Sequence, residues 1–297
     1  MPRPLTRTLY LLLFVTWIGV CASSVYYINT TPDVAPTFTV VPAPTFVPTV
    51  PPTPGPIRRV QAIPDHGDSN WTLLGPGLER RVLKVYNAQN QLVESVYVWR
   101  LDQDRFRFDV AFDATPRTLE SWQRETNASI VLNGGFYSID DERYFADGLI
   151  VLNGEASGRS FRGYGGMLAI DEFRAEVRWL VDRPYQPGEQ LQAALQAFPI
   201  LVKPGGQLGF GAERENNVPA RRTVIAQDRE GRILMIVTPE GYFTLHQLSA
   251  YLTESDLNLD VALNLDGGGS TGILVANPRE IILPTRPIPF VILAYPR

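Results

Sequence analysis

The sequence predicts an α+β domain: a single, large mixed, mainly antiparallel β-sheet system with about three helices, behind an N-terminal membrane segment and a linker. Three observations carry that expectation. Short runs rich in β-branched and aromatic residues recur along most of the chain, bounded by Gly, Pro and Asn. Stretches with helical spacing are few. The first 56 residues have a composition that cannot form a packed core. The chain as a whole has 297 residues, 44% of them hydrophobic and 20% charged, so the portion beyond residue 56 can bury one large core.

The N-terminus comes first. Arg3 and Arg7 precede an apolar run over residues 9–20, the pattern of an export signal. Small residues at Cys21-Ala22-Ser23-Ser24 would suit cleavage, while the apolar character continues to Ile28. Twenty helical residues span about 30 Å, enough for a bilayer. A signal anchor over 1–28 is favoured and a cleaved signal peptide is the alternative. Either puts the remainder outside the cytoplasm. Residues 29–56 form a linker. Nine of residues 30–56 are proline and seven are threonine. Such a segment is extended, with a reach of about 80 Å. The domain is expected to occupy 57–297.

Within that domain, strands are expected near residues 81–85, 92–99, 106–112, 130–132, 149–152, 167–170 and 175–180. Others follow at 199–202, 223–226, 233–237, 259–265, 273–275 and 290–294. Helices are expected at 119–127 and 189–197. A third starts at Thr244, where Thr244 and Gln247 have capping-box spacing and Leu245, Leu248 and Leu252 repeat at helical intervals. From Asn258 the period changes to two. Leu259, Val261, Leu263 and Leu265 alternate with Asp260, Ala262, Asn264 and Asp266, so a strand follows the helix.

Counting residues excludes several chemistries. Lys+Arg number 27 and Asp+Glu 31. Only Arg3, Arg7 and Asp33 precede Ile57, leaving 25 against 30, or −5, for the domain. No basic stripe is present, which argues against nucleic acid as a partner. The single cysteine, Cys21, lies in the apolar N-terminal stretch, so the domain has no disulfide and no cysteine nucleophile. Two histidines, His66 and His246, cannot build a three-histidine zinc site. The sequence demands no metal and no cofactor, and hydrolytic chemistry would rest on carboxylates.

Four stretches can carry chemistry. Asn264-Leu265-Asp266-Gly267-Gly268-Gly269-Ser270 delivers an amide and a carboxylate to a strand end, then three glycines whose N–H groups can form an anion nest. A tight turn with a solvated Asp266 would read the same way. Asn133-Gly134-Gly135-Phe136 repeats the logic, and Asp147 follows shortly as a second acid or a turn residue. Arg221-Arg222-Thr223 enters a strand and offers a bidentate phosphate contact, or an exposed ion pair. Pro239-Glu240-Gly241 ends another strand with a further acid.

Together these stretches resemble the phosphodiester glycosidase family, whose members include many bacterial envelope proteins. Asn133 to Phe136, Arg222-Thr223, the strand and helix over 233–252, and Ala262 to Ser270 stand in family order. The resemblance covers roughly residue 131 to the C-terminus. It implies cleavage between the anomeric carbon of a sugar and a phosphodiester. Asp266 is then an active-site carboxylate, Asp147 the second carboxylate and Arg222 a phosphate contact. Asn133, Gly134, Gly135, Phe136, Thr223 and Asn264 become substrate-binding residues, and Gly267, Gly268, Gly269 and Ser270 a backbone cradle. Two positions depart from the family pattern: Ala226 stands where glycine is common, and Pro239-Glu240-Gly241 where an Asp-Gly loop is common. Glu240 is the candidate replacement acid.

The expected function is therefore an extracytoplasmic hydrolase of glycosyl-phosphodiesters in envelope or exported glycoconjugates, held at the membrane by its N-terminal helix. A cell-envelope glycan-binding module without turnover is the alternative. A weaker third reading pairs Ser270 with His246 as a serine hydrolase.

Overall fold

The computed structural model describes residues 69–160 and 165–297. The signal segment and linker expected over 1–56 lie outside the described residues. No described helix is long and apolar enough to cross a membrane.

The described chain forms twenty strands, numbered along the sequence, and two α-helices. The largest sheet has eight strands. Its order is β1 (Thr72–Gly75), β2 (Leu78–Tyr86), β3 (Leu92–Leu101), β16 (Ile233–Thr238), β15 (Arg222–Asp228), β17 (Leu259–Asn264), β13 (Ile200–Lys203) and β14 (Gln207–Leu208). A second sheet runs β11 (Ala175–Trp179), β10 (Gly166–Ile170), β12 (Ala193–Ala197), β8 (Leu149–Leu152) and β9 (Glu155–Gly158). The third runs β19 (Glu280–Ile282), β18 (Ile273–Val275), β5 (Ile130–Asn133), β20 (Ile288–Pro296) and β4 (Phe106–Arg117). Strands β6 (Tyr137–Asp140) and β7 (Arg143–Ala146) pair only with each other. Every ladder is antiparallel, so the described sheets are not mixed as expected.

The central core joins all three sheets. Trp99 and Met235 from the first meet Leu168 and Leu195 from the second and Leu132 and Phe290 from the third. Helix α2 (Leu245–Glu254) covers the opposite face of the large sheet, where Leu248 and Leu252 pack on Val96, Val98, Val224 and Ile236. Each buried leucine contributes about 2 kcal/mol. Strands covered on both faces are apolar throughout rather than alternating, and all six residues of β16 are buried. Helix α1 (Leu119–Thr126) seats Leu119 and Trp122 on the outer face of the third sheet. The capping box expected at Thr244 and Gln247 is present.

One element is a correction. Residues 189–197 were expected to form a helix, because Glu, Gln, Leu and Ala favour one. They instead enter β12, paired on both edges with β10 and β8. Leu191, Ala193, Leu195 and Ala197 alternate, and all five residues of β12 are buried. A central slot between two strands overrides helix propensity, and the small alanines fit the close approach of layers on both faces.

Candidate active site

The site forms where strand ends of the first and third sheets meet. Strand β5 ends at Asn133, which is buried and has every side-chain polar atom engaged. Its amide donates to the Asp266 carbonyl at 2.7 Å, and its carbonyl oxygen accepts from the Thr223 hydroxyl at 2.7 Å and the Gly272 N–H at 3.0 Å. Asn133 thus ties the end of β5 to β15 and to both ends of the loop that follows β17. Gly134 and Gly135 let β20 approach: a Cβ at either would stand 3.0–3.1 Å from Phe290.

Strand β17 ends at Asn264, and Leu265 remains fully buried in the core, continuing the alternation. Asp266 follows, its N–H donating to the Gly134 carbonyl at 3.1 Å. The glycine run then makes a single tight turn. Gly267 donates to Asp266 Oδ1 at 2.9 Å, Gly268 to the Arg221 carbonyl at 2.8 Å, and Ser270 to the Gly267 carbonyl at 3.1 Å. These amides are committed inside the protein, so the run is a braced turn and not the open nest the glycines suggested. Glycine is required here for two other reasons. Gly268 adopts φ +57 with open space where a side chain would stand. At Gly267 a Cβ would meet the Arg221 carbonyl at 2.7 Å, and at Gly269 the Arg286 guanidinium at 2.7 Å.

Asp147 arrives by a different route. The β6–β7 hairpin leaves from Phe136 and returns, and the Asp147 N–H donates to the Phe136 carbonyl at 2.9 Å. That return brings the Asp147 charge within electrostatic reach of Asp266. Burial raises the Asp266 carboxyl above the usual aspartate value. The Ser270 hydroxyl, the Gly267 N–H and the Arg286 charge oppose the rise, and Asp147 adds to it. Asp266 thus feels the charge of Asp147, the second acid expected from the sequence, and of Arg286, an arginine that sequence reasoning missed. Tyr137 extends the network, its hydroxyl 3.3 Å from Ser270 Oγ.

Beside this cluster lies a cavity of about 560 Å³, walled by Phe136, Phe198, Phe210, Arg222, Asn264 and Gly267, among others. Phe136 and Phe198 stack with centroids 4.6 Å apart. Asn264 is 3% exposed. Its amide donates to the Phe198 carbonyl at 3.0 Å, and its Oδ1 has no partner. The Arg222 guanidinium donates to the carbonyls of Phe243 at 3.2 Å and Val218 at 2.9 Å. Burial lowers its pKa, and the charge of nearby Glu215 opposes that. Arg222 thus reaches the cavity wall without an ion-paired acid among the described residues.

Glu240 does not join the cluster. It is exposed and lies outside the cavity wall. Its loop is organised by Glu94, a fully buried carboxylate that accepts from the N–H groups of Glu240 at 3.1 Å, Gly241 at 3.0 Å and Tyr242 at 3.2 Å. Ser270 and His246 are not paired either. The His246 ring bonds the Phe210 carbonyl at 3.0 Å, while Ser270 bonds Asp266. Glu215, also unforeseen, accepts from the His246 N–H at 2.6 Å at the N-terminus of α2. Burial works to raise its pKa, but that bond, the Thr244 hydroxyl and two loop amides hold it below the usual glutamate value. Arg286 had a weak signal, a lone arginine between Thr285 and Pro287. Glu94 had none, because one acid at a strand start looks like any surface residue.

The model of the phosphodiester glycosidase family matches residues 126–295, which include Asn133, Asp147, Arg222, Asp266 and Arg286. The chain belongs to that family. Its fold is similar to the catalytic domain of zebrafish N-acetylglucosamine-1-phosphodiester alpha-N-acetylglucosaminidase, solved auto-inhibited by its pro-peptide. The two share 16% identity with a TM-score of 0.60, over 75% of this chain and 85% of that one. A putative exported protein from Burkholderia pseudomallei shares the fold at 14% identity and a TM-score of 0.52, over 68% of this chain and 74% of that one. No curated protein sequence matches. Membership in the phosphodiester glycosidase family supports hydrolysis of phosphodiester-linked sugars as the class of chemistry.

Proposed function

We propose that this chain hydrolyses glycosyl-phosphodiesters of envelope or exported glycoconjugates, outside the cytoplasm and anchored through residues 1–28. The observation that carries the reading is the Asp147–Asp266 pair beside Arg286 and a partly apolar cavity. Glycoside hydrolysis needs two carboxyl groups about the anomeric carbon. A phosphodiester leaves as a weak base and needs little protonation, so an arginine at its oxygens replaces the usual acid.

The roles divide by environment. Asp266, whose pKa burial raises, takes a proton from the attacking water. Asp147 supplies the second carboxyl group, which stabilises positive charge at the anomeric carbon. Water oxygen bonds that carbon, the carbon–oxygen bond to phosphate breaks, and its electron pair leaves with the phosphate monoester against Arg286. Arg222, expected from the sequence as the phosphate contact, contributes from the cavity wall. The glycosyl group enters the cavity, where Phe136 and Phe198 cover its apolar face and Asn264 Oδ1 accepts from a hydroxyl or amide N–H.

The test is sugar release by the purified full chain from a panel of sugar-1-phosphodiesters, with Asp266→Asn as control. Release by the unmodified chain alone is the expected result. Saturable binding without release would overturn catalysis in favour of the glycan-binding module.

A further inference from the structure

We propose that the cavity beside the carboxylates selects a sugar acid: the glycosyl group it holds carries a carboxylate, recognised by Arg222 and Arg214. The inference rests on the hydrolase reading and names the class of sugar that reading leaves open.

Among the described residues, the cavity wall holds two cations and no acid. Arg222 enters from the start of β15, and Arg214 from the short helical turn Ala212–Arg214. The Arg222 guanidinium is held by the carbonyls of Phe243 and Val218. Those bonds fix the direction of its fork but leave its charge uncompensated, and a partly buried cation without a close counterion is costly. The neighbouring acids are engaged elsewhere. Glu215 accepts from the N–H groups of His246 at 2.6 Å, Asn216 at 2.8 Å and Asn217 at 3.0 Å. Glu213 is exposed and comes no closer to Arg214 than 3.8 Å. A ligand carboxylate supplies the missing counterion, in the planar, two-oxygen form that a guanidinium matches.

Asn264 decides between a sugar acid and a bare anion. Its Oδ1 is buried in the same wall and has no partner. An amide oxygen accepts and cannot donate, so it repels the oxygens of phosphate or carboxylate and needs an O–H or N–H from the ligand. The occupant therefore presents hydroxyls and an anion together, with an apolar face for the Phe136 and Phe198 rings. A hexuronic acid has all three. Its carboxylate is on C5, across the ring oxygen from the anomeric carbon, so it can point to the arginines while that carbon faces Asp266 and Asp147. The phosphate stays with Arg286, which stands over Gly269 and outside this wall.

The test is calorimetry on the full chain with methyl α-glucuronide and methyl α-glucoside, which differ only in the group on C5. The glucuronide should have a Kd about tenfold lower. Arg214→Gln and Arg222→Gln should each narrow that preference to about twofold, and Arg286→Gln should leave it in place. Equal Kd values, binding of neither glycoside, or a preference that survives both Arg214→Gln and Arg222→Gln would overturn the proposal. So would inorganic phosphate that displaces the glucuronide at equal concentration, because the two arginines would then hold phosphate. Sugar release from the 1-phosphodiesters of the same two sugars is read separately. Release with equal affinities keeps the hydrolase reading and removes the sugar acid. A preference for the glucuronide without release keeps the sugar acid and removes the hydrolase reading.

Discussion

Glu94 and Asp266 are both carboxylates beside loops that follow strands of the same sheet, and their surroundings could hardly differ more. Glu94 is fully buried and accepts from three consecutive loop amides, those of Glu240, Gly241 and Tyr242, and from its neighbour Ser95. Asp266 is half-buried, bonds one loop amide and one hydroxyl, and faces a second carboxylate and an arginine. The loop with a single glycine contains the three-amide nest, already filled by the protein's own acid. The glycine-rich loop has committed most of its amides and leaves its carboxylate under-satisfied. A fully satisfied acid holds structure, and an under-satisfied one beside a cavity is available to react.

Four predictions break or sharpen that contrast. Asp266→Asn should lower kcat by about 1,000-fold, because it removes the proton acceptor and leaves the turn intact. Steady-state rates together with an unchanged circular dichroism spectrum check it. Arg286→Ala should lower kcat/KM by about 100-fold, since the charge is on the departing phosphate in the transition state. The same change at Arg222 should cost less, and a reversed order would exchange their roles.

Glu94→Ala should lower stability by about 3 kcal/mol, because three amides lose a buried acceptor. Melting should fall by roughly 6–12 °C. The kcat of the remaining folded protein should hardly change, whereas a large loss in kcat would place Glu94 in the reaction. The smallest effect has the opposite sign. The pKa of Asp266 is raised in the folded state, so its charged form is the disfavoured one. Stability contributed by its proton is full below the unfolded pKa near 3.8 and is lost as pH rises through the folded pKa. Asp266→Asn should therefore melt slightly higher than the parent at pH 7, with the difference vanishing below about pH 4. Denaturation at both pH values shows whether it does.

Much of the fold was legible in the sequence where one physical signal dominated. The capping box at Thr244 and Gln247 and the switch to period two at Leu259 both reappear in the structure. The apolar strands were readable because burial on both faces leaves an unbroken run, as in β16. The hairpin β6–β7 was not, because its residues are exposed and its pairing follows from chain return, not from hydrophobicity. Residues 189–197 misled because local propensity and tertiary slot disagree. At the site, Asp266 was marked by its glycines and Asp147 by its turn. Asn133, though singled out, proves to be a brace whose amide is spent on Asp266, Thr223 and Gly272. Arg286 comes from a loop 20 residues beyond Asp266, and only folding places it over Gly269.

The most direct test of the contrast is carboxyl-carbon NMR titration of the full chain, with Asp266→Asn and Asp147→Asn alongside. One aspartate should titrate above the ordinary aspartate value of 3.8. That resonance should vanish in Asp266→Asn and titrate at lower pH in Asp147→Asn, where the neighbouring charge is gone. A spectrum with no aspartate above that value, or one unmoved by Asp147→Asn, would contradict a coupled, reactive pair at this site.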